Sequence, residues 1–332
     1  MKRLAIRIVV LAALALAFPW IAAYGIRALF VHNDHVALEI GERYPPAKPV
    51  REWNGIPYGV GELKLNAFAP ESGGPVRPLV VWIHGGGWLS GSRATITPVA
   101  KQLAGAGFAV AVPDYTLAPT ARYPESTREL STALAYLSAH AAEYGGDARR
   151  IILAGDSAGA NLAGSLAALA TNPEAVKKTG IAAPLAANVV RGTVFDCGLF
   201  DLPRFDADTR EHLAFRLFFG ELFWAYFGSF SLSQPALALA SPQHLASAAF
   251  PPSFITGGNA DKLTDVQSKP FADRLRSLGV RTETLFYPDD HSPGLKHEYV
   301  RNLDRAEART ALEKIAAFIR SVTEPSPVPN GH

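Results

Sequence analysis

A strand, a tight turn and a helix are predicted in succession by residues 151–161, which read Ile151-Ile152-Leu153-Ala154-Gly155-Asp156-Ser157-Ala158-Gly159-Ala160-Asn161. The four leading apolar residues are typical of a buried strand, and the small residues over 158–170 predict a helix lying close to a sheet. Ser157 stands between them in a G-x-S-x-G pattern, whose glycines fit a turn too tight for larger side chains. Ser157 is therefore a candidate nucleophile, and the alternative is a glycine turn with a capping serine.

Further buried strands are predicted on both sides of this turn, over residues 79–83, 108–112, 188–194, 253–256 and 282–287. Helical spacing of apolar residues predicts amphipathic helices between them, carried by Leu130, Leu134 and Leu137, by Phe271, Leu275 and Leu278, and by Leu312, Ile315 and Ile319. This alternation is typical of an α/β fold, in which helices cover both faces of a mostly parallel sheet.

Composition excludes several classes of protein. The chain has 332 residues, of which 48% are apolar and 19% charged, so it is not a disordered protein. Its net charge is +2, but residues 1–30 hold four basic residues and no acid. The net charge of residues 31–332 is therefore −2, which leaves no basic face to bind nucleic acid. A lone cysteine, Cys197, excludes an intrachain disulfide, a multi-cysteine metal site and an iron–sulfur cluster.

The N-terminal segment, residues 1–30, is predicted to be a membrane signal anchor. Residues 8–26 carry no charge, and as a helix they would extend about 28 Å, close to the thickness of a bilayer core. Lys2, Arg3 and Arg7 precede them, which predicts a cytoplasmic N-terminus and an extracytoplasmic catalytic domain. Two alternatives stay open: a signal peptide cleaved at Ala15-Leu16-Ala17, which would give a secreted protein, and a buried N-terminal helix.

The remainder divides into a catalytic domain over residues 31–323 and a tail over 324–332, whose three prolines predict disorder. Within the domain, residues 200–250 separate two predicted strands by far more than a usual loop. This insertion is rich in large aromatic residues: Phe215, Phe218, Phe219, Phe223, Trp224, Tyr226, Phe227 and Phe230. We interpret it as a helical cap over a site. The alternative is an ordinary packed helical insertion, which would show the same pattern.

Three further elements would complete a site around Ser157. His84-Gly85-Gly86-Gly87-Trp88 follows the strand over 79–83, and its backbone N–H groups are suited to stabilising an oxyanion. Asp261 follows the strand over 253–256 and is the candidate acid, whereas Asp265 is expected to be a surface or capping group. Of the later histidines, His297 lies nearer the last helix and His291 nearer the preceding strand.

Taken together, these motifs resemble the hormone-sensitive-lipase-like family of α/β-hydrolases. The resemblance extends over most of residues 60–320 and includes Asp114-Tyr115-Thr116-Leu117-Ala118-Pro119, Ser241-Pro242, Pro251-Pro252 and Asp261-Lys262-Leu263. It implies a mostly parallel eight-stranded sheet, a cap, and hydrolysis of carboxylic esters without metal or cofactor. An apolar acyl or aryl ester of small to medium size is the expected substrate. A sugar deacetylase, an amidase or peptidase, and a non-catalytic ligand receptor on the same scaffold are the alternatives.

The resemblance also implies roles for single residues. Ser157 would be the nucleophile and Asp261 the acid of a triad, with the N–H groups of Gly86, Gly87 and Ala158 in the oxyanion hole and Gly85 shaping the loop. The family's usual His-Gly-Phe segment corresponds here to His297-Glu298-Tyr299, so we take His297 as the base, with His291 as the alternative. We further assign His84, Trp88 and Asp156 to the substrate-binding surface, although Asp156 also has a structural role because it points away from Ser157.

Overall fold

A single β-sheet organises the computed structural model, which describes residues 2–59, 61–205 and 213–324, and their side chains from residue 18 onward. Within these residues the sheet has eight strands in the order β1-β2-β4-β3-β5-β6-β7-β8. The second strand runs antiparallel to both its neighbours and the other pairs are parallel, which confirms the predicted fold class. The strands are β1 (Val50–Pro57), β2 (Lys64–Pro70), β3 (Arg77–Ile83), β4 (Ala109–Pro113), β5 (Gly146–Asp156), β6 (Val190–Asp196), β7 (Ser253–Gly257) and β8 (Thr282–Phe286).

Helices cover both faces of this sheet. They are α1 (Lys2–Glu42), α2 (Thr97–Gly105), α3 (Glu125–His140), α4 (Ala158–Thr171), α5 (Pro173–Thr179), α6 (Leu213–Phe227), α7 (Pro235–Leu239), α8 (Pro242–Leu245), α9 (Lys269–Ser277) and α10 (Ala306–Thr323). Apolar residues of α3 and α4 belong to one core, and those of α2 and α10 belong to a second core on the opposite face.

The position of β5 at the middle of the sheet explains why residues 151–154 are continuously apolar. Ile151 and Leu153 face the core that contains α3 and α4, whereas Ile152 and Ala154 face the core that contains α2 and α10. All four side chains are fully buried because alternate residues of a strand point to opposite faces and both faces are covered. The carboxyl end of β5 therefore emerges at the middle of the sheet edge, where Ser157 follows it.

The N-terminal helix α1 continues without a break through residue 30, where the anchor was expected to end. Its second half packs along the antiparallel α6 of the cap, because Trp20 contacts Trp224 at 5.6 Å between ring centroids and Phe30 contacts Phe218 at 6.0 Å. Ala23, which lies between Trp20 and Phe30 on α1, is buried. Together, α1 and the helices between β6 and β7 form the cap.

The predicted membrane anchor and the predicted disordered tail lie partly outside the described residues. The predicted anchor over residues 8–26 begins among residues whose side chains are not described, and the tail lies outside the described residues from residue 325 onward. Of the described part of the chain, we find no helix with both the length and the apolar character that crossing a membrane requires. The anchor stays a prediction.

Candidate active site

Ser157 occupies a strained turn between β5 and α4. Its φ of 49° and ψ of −118° lie in a region that non-glycine residues seldom adopt. The turn is closely packed, since a Cβ on Gly159 would lie 2.1 Å from the carbonyl oxygen of Ile83. The N–H of Ser157 donates to the Asp196 carbonyl oxygen at 2.8 Å, which fixes the turn against the end of β6.

A continuous line of hydrogen bonds joins Ser157, His297 and Asp261. The Nε2 atom of His297 lies 2.9 Å from Oγ of Ser157, and its Nδ1 atom lies 2.7 Å from Oδ2 of Asp261. The second carboxylate oxygen of Asp261 accepts the N–H of Leu263 at 3.0 Å, so both oxygens are held. The three residues predicted from separate motifs thus meet at the carboxyl edge of the sheet.

The imidazole of His297 stands among negative charges. Desolvation in the site disfavours its charged form, but the Asp261 carboxylate outweighs this effect, with smaller contributions from Glu298 and Asp196, and raises the pKa of His297 to about 9. A raised pKa means that the site stabilises an imidazolium, which is the form a histidine takes after accepting a proton from serine.

The glycine loop after β3 borders the same space as Ser157. Gly86 and Gly87 line the cavity beside the serine and have positive φ angles of 96° and 59°, which other residues rarely adopt. Ala158 is the first residue of α4, and the first N–H groups of a helix have no carbonyl partner within it. Gly85 differs, because its N–H already donates to Oδ2 of Asp156 at 3.0 Å. Its role is therefore to shape the loop.

Asp156, His84 and Trp88 do not lie on the substrate surface, and our assignment of them to it is corrected. All three are buried, and none lines the cavity at Ser157. Asp156 accepts the indole N–H of Trp82 at 2.8 Å, which with its bond to Gly85 ties the nucleophile turn to the glycine loop. His84 and Trp88 stack on tyrosines, at 4.4 Å from the ring of Tyr115 and 4.7 Å from that of Tyr226 respectively.

The alternative histidine, His291, is directed elsewhere. Its Nε2 atom lies 2.9 Å from Oε1 of Glu307 on α10, and it does not line the cavity at Ser157. The rival acid Asp265 is likewise occupied, because its carboxylate accepts from Nζ of Lys269 at 2.6 Å on the exposed surface.

A buried ion network that sequence reasoning missed flanks the site. The Arg301 guanidinium donates to Oδ1 of Asp34 at 2.6 Å and to Oε2 of Glu298 at 2.7 Å, which connects α1 to the residue after His297. Burial disfavours the Glu298 carboxylate, but Arg301 outweighs this effect and lowers the pKa of Glu298. Burial, and then Glu298, raise the pKa of Asp156 to about 7. No local pattern signals this network, since Asp34 and Arg301 are separated by 267 residues.

A cavity of about 720 Å³ opens above Ser157. Its walls come from α1, from α6 and from the loop that carries His297, and its apolar lining includes Phe30, Phe215, Phe218, Phe219 and Leu222. Lys296 and Arg305 add polar groups on the side of the His297 loop. Such a lining suits an apolar ligand with few polar groups.

Among the residues that the structure describes, one group of side chains has the spacing of metal ligands. Cys197, Asp261 and His297 offer ligand atoms within 4.8 Å of one another. Two of these residues form the hydrogen-bonded line with Ser157, so a metal ion bound there would break that line. The thiol of Cys197 also accepts the N–H of Glu298 at 3.0 Å. We assign the group to the Ser157 site.

The chain resembles known proteins both in sequence and in fold. A family model described as the alpha/beta hydrolase fold matches residues 80–298. The carboxylesterase NlhH of Mycobacterium tuberculosis is 41% identical over 113 residues, which are 34% of this chain and 35% of that protein. An esterase of Gibberella moniliformis is 32% identical over 259 residues, 74% of this chain and 75% of that protein.

A solved structure of an esterase from Pyrobaculum calidifontis superposes with a TM-score of 0.70 at 26% identity, covering 90% of this chain and 92% of that one. The chain spans less than half the length of several curated relatives that it matches. The family model covers well over half of the chain, and the Gibberella esterase is similar over three quarters of it. The chain therefore belongs to the hormone-sensitive-lipase-like family of α/β-hydrolases.

Proposed function

We propose that this protein is a serine hydrolase that cleaves carboxylic esters. The observation that carries the proposal is the hydrogen-bonded line from Asp261 through His297 to Ser157, which ends at the strained turn beneath the cavity. A nucleophile bonded to a base that is itself oriented by an acid is the arrangement used for covalent acyl transfer. The esterase activities named for the relatives support the same reaction class.

In the first half of the reaction, Oγ of Ser157 attacks the ester carbonyl while Nε2 of His297 accepts its proton. Asp261 keeps the proton of Nδ1 facing its carboxylate and stabilises the imidazolium that forms. The negative charge on the carbonyl oxygen is stabilised by the N–H groups of Gly86, Gly87 and Ala158, and one such donor is worth about a hundredfold or more in rate.

In the second half, the imidazolium of His297 protonates the leaving alcohol, and the acyl group stays bonded to Ser157. A water molecule then gives its proton to His297 and attacks the acyl carbonyl, which releases the carboxylic acid and restores the serine. Every proton transfer in the cycle takes place between Ser157, His297, the leaving alcohol and water.

The cavity supports an apolar substrate of small to medium size. Phenylalanines from α1 and α6 enclose the space above Ser157, and its volume of about 720 Å³ leaves room for an acyl chain together with an alcohol. Apolar contacts of this kind discriminate weakly between chain lengths, since each methylene contributes about 0.8 kcal/mol.

For the N-terminal segment we keep the proposal of a membrane anchor with the catalytic domain outside the cytoplasm. The uncharged run over residues 8–26 behind three basic residues supports it. N-terminal sequencing of the mature protein tests the proposal, because a start near Phe18 would mean a cleaved signal peptide.

Hydrolysis of p-nitrophenyl acetate and p-nitrophenyl butyrate tests the base. We expect His297→Ala to lose at least about a thousandfold in kcat, because the serine then lacks its proton acceptor. His291→Ala is the matched control and should keep the rate of the unaltered chain. Loss of activity in His291→Ala together with full activity in His297→Ala would contradict the assignment.

A further inference from the structure

Exposed hydrophobic side chains are concentrated on one part of the molecule. Among the side chains that the structure describes, eleven large hydrophobic ones are exposed, and the one outside the cap is Val76. We call the other ten the cap face: Phe18, Trp20, Ile21, Tyr24, Leu29, Val31 and Val36 on α1, Leu213 and Leu217 on α6, and Phe230 just after α6. A concentration of this kind marks an interaction surface.

The two helices of the cap face form one continuous surface. The α1 and α6 helices pack antiparallel, and Trp224 connects their exposed residues. Its ring contacts that of Trp20 on one helix and stacks on that of Phe230 at 5.8 Å. Phe30 and Asp34 point inward from the opposite side of α1, toward α6 and Arg301. Val36 belongs to the cap face and also lines the cavity, so the cavity above Ser157 reaches this surface.

Charge distinguishes the partners that such a surface can accept. Between Phe18 and Val36, the α1 part of the cap face, the chain carries the exposed Arg27, and the first exposed acid in the chain is Glu39. Asp34 is buried against Arg301. Two copies meeting through this surface would each add the positive charge of Arg27 to it, whereas anionic lipid headgroups would neutralise that charge.

The identity of the side chains and the course of α1 favour a bilayer. Trp20 and Tyr24 are residues enriched at the boundary between lipid chains and headgroups. The cap face and the uncharged run over residues 8–26 overlap on α1, because Phe18, Trp20, Ile21 and Tyr24 belong to both, so lipid bound by that run contacts the cap face directly. A helix with one apolar side can also lie in the membrane interface.

We propose that the cap face docks on the surface of an anionic lipid bilayer, with the cavity opening toward the lipid. As a consequence, which rests on the proposed esterase function, the substrates are apolar esters that partition into the membrane. They would enter between α1 and α6 without crossing bulk water.

A fluorescent label tests the docking directly. Cys197 is buried, so a cysteine introduced on the surface of the full-length chain can be labelled selectively with an environment-sensitive dye. We compare the Leu217→Cys variant with the Val76→Cys variant, whose position before β3 is at the sheet edge opposite the site. The probe is a vesicle of phosphatidylcholine and phosphatidylglycerol in a three to one ratio.

Docking predicts that vesicles make the dye at position 217 several-fold brighter and blue-shifted, and leave the dye at position 76 unchanged. An unchanged signal at position 217 in protein that sediments with the vesicles would overturn the proposal, because only the N-terminal segment would then hold the chain. A bright signal at position 217 without vesicles, with a doubled mass in light scattering, would assign the surface to a second copy.

Two substrates separate this proposal from the enzymatic one. In the Leu213→Glu/Leu217→Glu variant we expect unchanged hydrolysis of soluble p-nitrophenyl acetate. Hydrolysis of p-nitrophenyl decanoate held in vesicles should be about a hundredfold slower, since burying each of the two leucines contributes about a tenfold factor. Equal rates on vesicles for variant and unaltered chain would overturn the substrate consequence. No hydrolysis of the soluble ester by the unaltered chain would instead contradict the proposed function.

Discussion

Single residues around His297 set the protonation of the proposed base. The imidazole serves as a base only when it is neutral, and the carboxylates of Asp261, Glu298 and Asp196 favour its charged form. Glu298 also has an unusual backbone conformation, with a φ of 55°. It stands where the family's usual His-Gly-Phe segment has glycine. The sequence His297-Glu298-Tyr299 thus places an extra negative charge beside the base.

The pH dependence of hydrolysis is the first prediction. Because the active imidazole forms as pH rises through a pKa of about 9, kcat/KM should increase from neutral pH into the alkaline range. Glu298→Gln removes a negative charge that raises this pKa, so the rise should move to lower pH. The measurement is the pH profile of kcat/KM for p-nitrophenyl butyrate.

Glu307→Gln is the matched control for this profile. Glu307 contacts His291 instead of His297, so its replacement should leave the profile unchanged. A profile that is identical for Glu298→Gln and the unaltered chain would show that the Glu298 charge does not act on the base.

Among the elements, the turn between β5 and α4 has the least tolerance for change. A methyl group at position 159 would overlap the backbone of β3, whose carbonyl oxygens cannot move without disturbing the sheet. Gly159→Ala should therefore lower the free energy of unfolding by about 1–3 kcal/mol and abolish hydrolysis. Urea denaturation and ester hydrolysis measure the two effects.

Gly73→Ala provides the comparison for the turn. A Cβ on Gly73 meets nothing within 4 Å, and that residue lies in an exposed loop before β3. We expect its stability to stay within about 0.5 kcal/mol of the unaltered chain. If Gly159→Ala were equally harmless, close packing of the turn would not be what shapes the site.

Among the described residues, six of the eight strands were predicted from sequence, and the two N-terminal ones, β1 and β2, were not. The run over residues 151–154 is apolar throughout because helices cover both sides of β5, and the strands predicted around it are present with bounds shifted by a few residues. β1 was not predicted, because it is half exposed at the sheet edge and its pairing register shifts between Trp53 and Ile56, which breaks any regular alternation. β2 was not predicted either, because its sequence, Lys64 to Pro70, contains a buried asparagine and two alanines and so lacks a run of large apolar residues.

The site was likewise predictable in part. Ser157 and Asp261 each follow a recognisable strand, whereas the choice of His297 over His291 rested on the resemblance to the family's His-Gly-Phe segment. The burial of Asp156, His84 and Trp88 was not predictable, because their partners Trp82, Tyr115 and Tyr226 are recognisable only in three dimensions.

At the scale of the whole molecule, the ion pair of Arg301 with Asp34 connects α1 to the segment that follows His297. Arg301→Met leaves the buried carboxylates of Asp34 and Glu298 without a positive partner, and losing one partner of a buried pair costs about 3–5 kcal/mol. We expect the urea midpoint of unfolding to fall accordingly.

Arg43→Met removes a matched but exposed pair. Arg43 also bonds an aspartate, Asp304, at 2.7 Å, yet both side chains are largely in solvent. Exposed pairs contribute about 0–1 kcal/mol, so this variant should unfold close to the unaltered chain. Equal midpoints for Arg301→Met and Arg43→Met would contradict the proposal that the buried network holds α1 to the site.

The role of Ser157 as the nucleophile is the claim on which the rest of the mechanism depends. Hydrolysis of p-nitrophenyl butyrate by the unaltered chain and by Ser157→Ala tests it, since alanine keeps the turn but has no hydroxyl group. We predict that the unaltered chain turns over the ester and that Ser157→Ala is slower in kcat by at least about a thousandfold. A Ser157→Ala variant that hydrolyses the ester at the rate of the unaltered chain would contradict the account.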